Sequence, residues 1–260
     1  MSALNPISFD QLEFLRTAGY IVVKDFLSPS RCEVYKHSLE AMIEEDLGFE
    51  LRDSRDANMV HNPMLRDSIF YELLSESALT KIMSQVLGES FIMYAFTTSS
   101  LPPKGTNWSR RIHVDCPRLI PGYPTNMNAF IPLSDVTEKN GGIELLPNSH
   151  WRDQAPSPTE FDQGRLVPEI NAGSLLIFYS RLWHSGGFNT STDPRHALTI
   201  NFCRSFMRQR FDYPRMVSSS DLETLDDTQR QLLGYNVQVP SSMSEYYLPE
   251  AERLYKPNQG

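Results

Sequence analysis

Six short runs of apolar and β-branched residues follow Glu89, and Pro, Gly, Asn and Asp separate them. The runs cover residues 91–99, 111–115, 126–133, 142–146, 174–179 and 195–206. Short runs bounded by these turn-forming residues are typical of the strands of a β-sandwich or jelly roll. The sequence therefore predicts a mainly β core from about residue 91 to residue 206.

The residues before this core carry helix signals. Ser8 and Gln11 fit a capping box at the start of one helix, and Gly19 fits its end. Residues 20–23 read as a strand, and a second helix should begin at Pro29, because proline is well tolerated in a first turn. We expect the helices to flank the β core and to pack on one of its sheets. Further helices are predicted at about 79–87 and 221–233.

The chain reads as a single domain of 260 residues. Its parts are a helical region to about 90, the β core over 91–206, and a C-terminal helix and tail over 207–260. The net charge of −8 argues against a nucleic-acid partner and against binding to a membrane surface. The first residues do not resemble a signal peptide, and no stretch approaches the roughly 18 apolar residues of a membrane span. The three cysteines are far apart, so we expect no disulfide framework and a cytoplasmic location.

Strand alternation predicts that the core has one polar face. In the last run, Arg195 and Thr199 should point to one side of the sheet, and His196 and Leu198 to the other. The opposite face can then pack on helices or on a second sheet, while the polar face lines a wet cavity. The side chains of interest on the polar face are Asn126, Asn128, Phe130, Arg195, Thr199 and Asn201.

A His-x-Asp pair, His113 and Asp115, lies in one of the predicted strands. Residues two apart on an extended segment point to the same side, so both side chains can reach one metal ion. His184 follows an apolar run and a short turn, and it can supply a third ligand. Two imidazoles and one carboxylate form the facial triad that holds Fe(II) with open positions for chemistry. On spacing alone, His184 could equally be a core histidine beside Trp183.

Arg195 follows the second histidine and adds a different property. Its planar, permanently charged guanidinium suits a carboxylate. The triad and this arginine together indicate a non-haem iron oxygenase that also binds a dicarboxylate. We expect His150 to be structural, since it follows a turn, and His196 to face away from Arg195. Cys116 points opposite to Asp115 and reads as a small buried hydrophobe.

Several motifs together resemble those of phytanoyl-CoA dioxygenase-type proteins. They occur in order over about residues 8–205 and comprise His113-x-Asp115, IPLSDVTEKNGG at 131–142, LPNSH at 146–150, HSGGFNTS at 184–191, and Arg195. The resemblance implies a double-stranded β-helix, a jelly roll of the cupin type, that uses Fe(II), 2-oxoglutarate and O2. It assigns the metal and catalytic role to His113, Asp115 and His184.

The same resemblance assigns the distal carboxylate of 2-oxoglutarate to Arg195. Asn128 and Thr199 are expected to make lesser contacts with this cosubstrate. Phe130 stands where related proteins often have Trp or Gln, so the contact made by those residues is not expected here. Halogenating relatives have a small residue in place of the carboxylate ligand. Since Asp115 is present, we expect oxygenation rather than halogenation.

The substrate is expected to be a small molecule, such as a secondary metabolite, that is hydroxylated, desaturated, cyclised or epoxidised. Asn126, Phe130 and Asn201 are candidate substrate contacts because the predicted cavity face is polar. Two alternatives stay open. One is an acyl-CoA hydroxylase whose CoA site would use basic residues near the site (Lys104, Arg110, Arg111 and Arg118). The other is a non-oxidative, cupin-like metal-binding module or isomerase.

Overall fold

The computed structural model describes residues 7–46 and 58–259. Within these residues, five antiparallel strands form one sheet in the order β1-β5-β3-β7-β2, and β4 pairs with β6 in a second, smaller sheet. The mainly β fold with flanking helices is therefore confirmed. The strands are β1 (Tyr20–Val23), β2 (Ile92–Thr98), β3 (Asn126–Pro132), β4 (Ile143–Leu145), β5 (Leu175–Tyr179), β6 (His184–Gly186) and β7 (Ala197–Cys203).

Helices precede and follow the sheets. The α-helices are α1 (Phe9–Ala18), α2 (Pro29–Asp46), α3 (Ser77–Leu87), α4 (Pro158–Gly164), α5 (Tyr213–Met216), α6 (Ser219–Thr224), α7 (Asp227–Leu232) and α8 (Met243–Tyr246). The single helix predicted at 221–233 was wrong. The chain breaks at Leu225, which is extended, and Asp226 caps a new helix together with Gln229. No helix in the described part of the chain is long and apolar enough to cross a membrane.

The first helix and strand match the prediction. The Ser8 hydroxyl accepts from the Gln11 backbone N–H at 3.2 Å, and the Gln11 side chain accepts from Ser8 at 2.8 Å, which completes the capping box. Gly19 ends the helix with φ of 90°. A Cβ at this position would lie 2.6 Å from Nδ1 of His150 and 2.7 Å from Leu182. Glycine is therefore required both by the backbone angle and by the close approach of these side chains.

The two faces of the large sheet bury different partners. Alternate residues of β3 and β7, such as Ala129 and Ile200, belong to the main core, which also includes side chains of α2 and α3. The other face contributes Phe130 and Phe178 to a smaller cluster with Ile143 of the second sheet. The predicted alternation is thus confirmed. Each large apolar side chain buried in this way stabilises the fold by about 1.5–3 kcal/mol. A shift of one residue would turn these side chains to the other face, so the register of the strands is strongly specified.

The strand predicted over 111–115 belongs to neither sheet, and this prediction was wrong. His113 and His184 instead exchange two backbone hydrogen bonds of 2.9 and 3.0 Å in an isolated bridge. Pairing extends no further because the partner segment turns at Leu182, whose N–H bonds back to Tyr179. Asp115 therefore donates its backbone N–H to Ser180 at 2.8 Å rather than to a continuing strand. The His-x-Asp segment is still fixed next to the start of β6.

Candidate active site

Three side chains that could bind one metal ion meet where this bridge joins β6. Nε2 of His113 lies 3.5 Å from Oδ1 of Asp115, and Nε2 of His184 lies 3.7 Å from Oδ2. The potential ligand atoms of all three residues lie within 4.8 Å of one another. Two imidazole nitrogens and one carboxylate arranged in this way fit the facial triad of a non-haem iron site.

Backbone carbonyls orient both imidazoles. Nδ1 of His113 lies 2.7 Å from the carbonyl oxygen of Arg111, and Nδ1 of His184 lies 2.8 Å from that of Leu182. A carbonyl oxygen only accepts, so each Nδ1 must carry the proton and donate it. Each Nε2 then presents a lone pair towards Asp115. This is the tautomer that a metal-binding histidine requires.

The charge states of the triad also suit metal binding. Burial, assisted by nearby His113, lowers the pKa of His184 to about 4, so its ring is neutral near pH 7. Burial alone would raise the pKa of Asp115. The two histidines and a hydrogen bond from Asn128 have a larger effect than burial and lower the pKa of Asp115 to about 2. A neutral imidazole and an ionised carboxylate are the forms that coordinate a cation.

A chain of amide side chains supports the carboxylate. Asn128 donates to Oδ2 of Asp115 at 2.6 Å, and its own oxygen accepts hydrogen bonds from Asn201 and from the Ser180 hydroxyl. Asn201 accepts from Asn126 at 3.1 Å. These side chains are buried in a hydrogen-bond network, and network members restrain one another. The network therefore fixes the orientation of Asp115 from the β3 and β7 side.

Arg195 is a buried cation near the triad. Its side chain donates to the carbonyl oxygens of Ser99 at 2.9 Å and Gly141 at 3.2 Å, while its Nε has no hydrogen-bond partner among the described residues. The residue is 1% exposed, and burial lowers the pKa of its guanidinium to about 10, so it stays charged. Within the described ranges, no carboxylate forms an ion pair with it. A buried, unpaired cation of this kind calls for an anionic ligand.

One cavity of about 450 Å³ connects these groups, and it is lined by the triad and by Arg195. Of the other predicted site residues, Thr199 and Phe130 also lie in its wall. The centroid of the Phe130 ring lies 5.5 Å from the guanidinium carbon of Arg195. Asn126, Asn128 and Asn201 are not among the described residues that line it. Their roles as ligand contacts stay predictions, and the contacts that they do make are those of the network.

Several cavity residues had no role assigned from the sequence. They are Met59, His61, Thr97, Trp108, Ile143, Phe178 and Arg210. Most belong to segments outside the motifs, so no local pattern connects them with the triad. Phe178 was predictable in part, since it shares a sheet face with Phe130 and packs its ring 5.1 Å from that of His184. Arg111 had been noted only as one of several basic residues.

His150 and His196 serve packing, as predicted. His150 stacks on Tyr179 with ring centroids 4.6 Å apart, and its Nε2 lies 3.0 Å from the carbonyl of Arg16. His196 faces away from the cavity and lies 3.4 Å from Glu40 of α2. Cys116 is buried, as expected, and lies 3.5 Å from the Thr125 hydroxyl. None of these side chains lines the cavity within the described residues.

Known proteins resemble this chain in sequence. The model of the phytanoyl-CoA dioxygenase (PhyH) family matches residues 15–197. An uncharacterized protein of Mycobacterium tuberculosis is 31% identical over 268 residues, which cover 98% of this chain and 97% of that protein. The likeness thus extends over nearly the whole chain and includes the C-terminal helices beyond the family match.

Solved structures share the fold. EctD from S. alaskensis, solved with 2-oxoglutarate and 5-hydroxyectoine, superposes with a TM-score of 0.66 at 17% identity, covering 78% of each chain. SnoK, a non-heme alpha ketoglutarate-dependent carbocyclase from nogalamycin biosynthesis, gives a TM-score of 0.61 at 20% identity, covering 76% of this chain and 84% of SnoK. At these identities the likeness concerns the fold.

Proposed function

The chain belongs to the phytanoyl-CoA dioxygenase family, and from this premise we propose that His113, Asp115 and His184 bind Fe(II) and that Arg195 binds the distal carboxylate of 2-oxoglutarate. The family and the class of enzyme predicted from the sequence, an Fe(II)/2-oxoglutarate-dependent oxygenase, are confirmed. One observation supports the roles proposed for these four residues. An ionised carboxylate, two oriented imidazoles and an unpaired buried guanidinium line the same cavity.

When bound, iron and 2-oxoglutarate would supply the activation of O2 that oxidises the substrate, with release of succinate and CO2. The protein provides the setting for this chemistry. The carbonyls of Arg111 and Leu182 hold the imidazoles, and the network through Asn128 holds the carboxylate. Phe130 and Phe178 form an apolar wall beside these charged groups. Such a wall excludes water and strengthens each electrostatic contact within the cavity.

We further propose a small-molecule substrate, for oxidation by hydroxylation, desaturation, cyclisation or epoxidation. The cavity volume of about 450 Å³ falls in the range of pockets that enclose metabolite-sized ligands. A non-oxidative metal-binding module would have no use for Arg195, because a buried cation without a partner costs folding free energy. That cost is explained if the guanidinium serves a dicarboxylate.

Anaerobic titration of the purified protein tests this function. Fe(II) followed by 2-oxoglutarate should produce a weak visible charge-transfer band, and a substrate screen should then yield succinate. Calorimetry with a redox-inert divalent metal measures 2-oxoglutarate binding separately from turnover. Metal binding without affinity for 2-oxoglutarate would instead support the non-oxidative alternative.

A further inference from the structure

The cavity carries more positive charge than iron and 2-oxoglutarate require. We propose that the substrate carries an oxyanion group, a carboxylate or a phosphate, which Arg111 and Arg210 bind at the mouth of the cavity. This inference rests on the proposed function, because it assumes that iron and 2-oxoglutarate occupy the interior. It goes further by naming the chemical class of the substrate and two residues that recognise it.

A count of charges leads to this conclusion. Apart from histidines, the charged side chains lining the cavity in the described part of the chain are Arg111, Arg195, Arg210 and Asp115. Fe(II) and 2-oxoglutarate would bring opposite double charges, and Asp115 and Arg195 bring opposite single charges, so these four groups balance. Two cations are left over. A substrate with one or two negative charges would offset them.

Arg111 is fixed close to the metal triad. Its backbone is extended, with φ of −99° and ψ of 148°, and its carbonyl accepts the hydrogen bond from the His113 ring. Residues two apart in extended chain have Cα atoms about 7 Å apart. The guanidinium carbon lies 5.5 Å from the centroid of the Trp108 ring, a cation–π contact that restrains the long side chain. An anionic group bound there would place the rest of a small substrate beside the metal site.

Arg210 approaches the same cavity from another part of the chain. It follows β7, and its backbone N–H donates to the carbonyl of Tyr94 in β2 at 3.0 Å. Its guanidinium carbon lies 5.9 Å from the Phe211 ring centroid. Thr97 of β2 also lines the cavity, so this backbone hydrogen bond holds Arg210 next to the cavity wall. Two exposed arginines from separate segments therefore line the same cavity.

Both arginines are exposed, and an exposed arginine is commonly just a solvated charge. Their position argues against that explanation. Arg110, Arg118 and Arg208 also lack a carboxylate partner among the described residues, but of these exposed arginines only Arg111 and Arg210 line the cavity there. The chain has 32 acidic and only 24 basic residues, yet no ion pair joins Arg111 or Arg210 to a carboxylate within residues 7–46 and 58–259. Some arginines elsewhere on the surface do form ion pairs with carboxylates, among them Arg16, Arg31, Arg66, Arg152, Arg165 and Arg215.

The ligand chemistry follows from the guanidinium group. Its planar fork binds carboxylates and phosphates with two parallel hydrogen bonds, which is stronger and more directional than a single contact. A neutral substrate that covered the mouth would remove water from two cations without replacing it. A small organic acid or phosphate ester would replace that water with charge-assisted hydrogen bonds. The arrangement therefore favours an anionic over a neutral polar substrate.

Calorimetry on the protein loaded with Mn(II) and 2-oxoglutarate tests the inference, with phenylacetate and inorganic phosphate as probes. We expect at least one probe to bind at millimolar concentration, more weakly as salt is raised, since exposed charges are screened. Arg111→Gln and Arg210→Gln should each weaken its binding about tenfold, the effect of losing one charge-assisted contact. Arg110→Gln and Arg208→Gln are matched controls, because these neighbours do not line the cavity within the described residues.

The outcomes separate this inference from the proposed function. If 2-oxoglutarate itself fails to bind the metal-loaded protein, the proposed function is wrong. If 2-oxoglutarate binds but neither probe does, or if the control variants weaken the probe as much as Arg111→Gln and Arg210→Gln, only the anion site is wrong. A succinate screen with acids and their methyl esters gives an independent result. Equal turnover of acid and ester would also overturn the inference.

Discussion

Replacing Arg195 tests the most specific element of the proposed site. A guanidinium has five N–H groups. Two of those of Arg195 are held by the carbonyls of Ser99 and Gly141, which leaves the Nε–H and others for a ligand. Arg195→Met removes the charge and the donors at similar length. Arg195→Lys keeps the charge but cannot form two parallel hydrogen bonds with a carboxylate.

The expected loss of affinity follows from the burial of the group. Truncating one partner of a buried, hydrogen-bonded charge pair costs about 2–5 kcal/mol, or roughly 30-fold to several thousand-fold in the dissociation constant. Arg195→Met should therefore lose 2-oxoglutarate binding in this range. Arg195→Lys should lose about one hydrogen bond to the charged carboxylate. This loss costs about 1.5–3 kcal/mol of binding free energy, or roughly 10- to 150-fold in the dissociation constant. Metal affinity should change little, because neither variant alters the triad.

The folding stability of the metal-free protein should respond differently. Arg195→Met gives up two hydrogen bonds to backbone carbonyls, but it also removes a buried cation that has no carboxylate partner among the described residues. These effects have opposite sign, since a buried charge costs several kcal/mol of desolvation. We expect the free energy of unfolding to change less than the binding free energy. A loss of affinity would then not be a consequence of unfolding.

Calorimetry and thermal denaturation measure both quantities. At a concentration 100 times its dissociation constant, 2-oxoglutarate should stabilise the metal-loaded wild type by about 2.7 kcal/mol and raise its melting temperature. At the same concentration, Arg195→Met should gain at most about 0.9 kcal/mol, because its affinity is at least about 30-fold lower. His196→Gln serves as the control, because the neighbouring residue faces α2 rather than the cavity. Unchanged 2-oxoglutarate affinity in Arg195→Met would refute the carboxylate role.

Three other predictions concern the triad and its support. Asp115→Ala should abolish succinate formation and sharply reduce metal affinity in calorimetry, because the triad loses its carboxylate. Asn128→Leu should weaken metal binding about 10- to 100-fold, the typical effect of losing an outer hydrogen bond to a ligand, with near-native circular dichroism. Metal-free protein should lose unfolding free energy as pH falls from 6.5 towards 4, because burial lowers the folded-state pKa of His184 to about 4 and the unfolded chain binds the proton first. Denaturant titrations at several pH values across this range should show that the free energy of unfolding of His184→Asn depends less on pH than that of the wild type.

Short-range signals predicted much of the fold. The capping box at Ser8 and the glycine at position 19 define α1, and β1 follows at the expected residues. Alternation in β3 and β7 gave the correct face for each side chain, because a shift by one residue would expose the apolar set. The helix predicted at 221–233 failed because Leu225 and Asp226 can also end one helix and cap the next. Such a choice depends on tertiary packing.

The candidate site was predictable where its geometry is local. His113 and Asp115 are two residues apart, so an extended backbone brings them together even without a continuous strand. The mouth of the cavity depends on long-range folding instead. Arg111 could not be distinguished from Arg110 by sequence, since adjacent arginines differ only in where the fold directs them. Arg210 belongs to a segment held against β2 by its own backbone hydrogen bond to Tyr94 and by the hydrogen bond from the Gln209 side chain to Met93.

The asparagines show the limit of the alternation argument most clearly. Alternation placed Asn126, Asn128 and Asn201 on the site face of the sheet, but it could not tell whether each amide faces the cavity or a neighbouring amide. An amide both donates and accepts, so buried neighbours satisfy one another, and the fold uses that property to restrain Asp115. If these side chains are committed to the carboxylate ligand, contacts to substrate must come from elsewhere in the wall. Among the described residues that line the cavity, Arg111 and Arg210 have N–H groups available for a ligand. We therefore expect the choice of substrate to depend on charge at the mouth of the cavity rather than on amides in its interior.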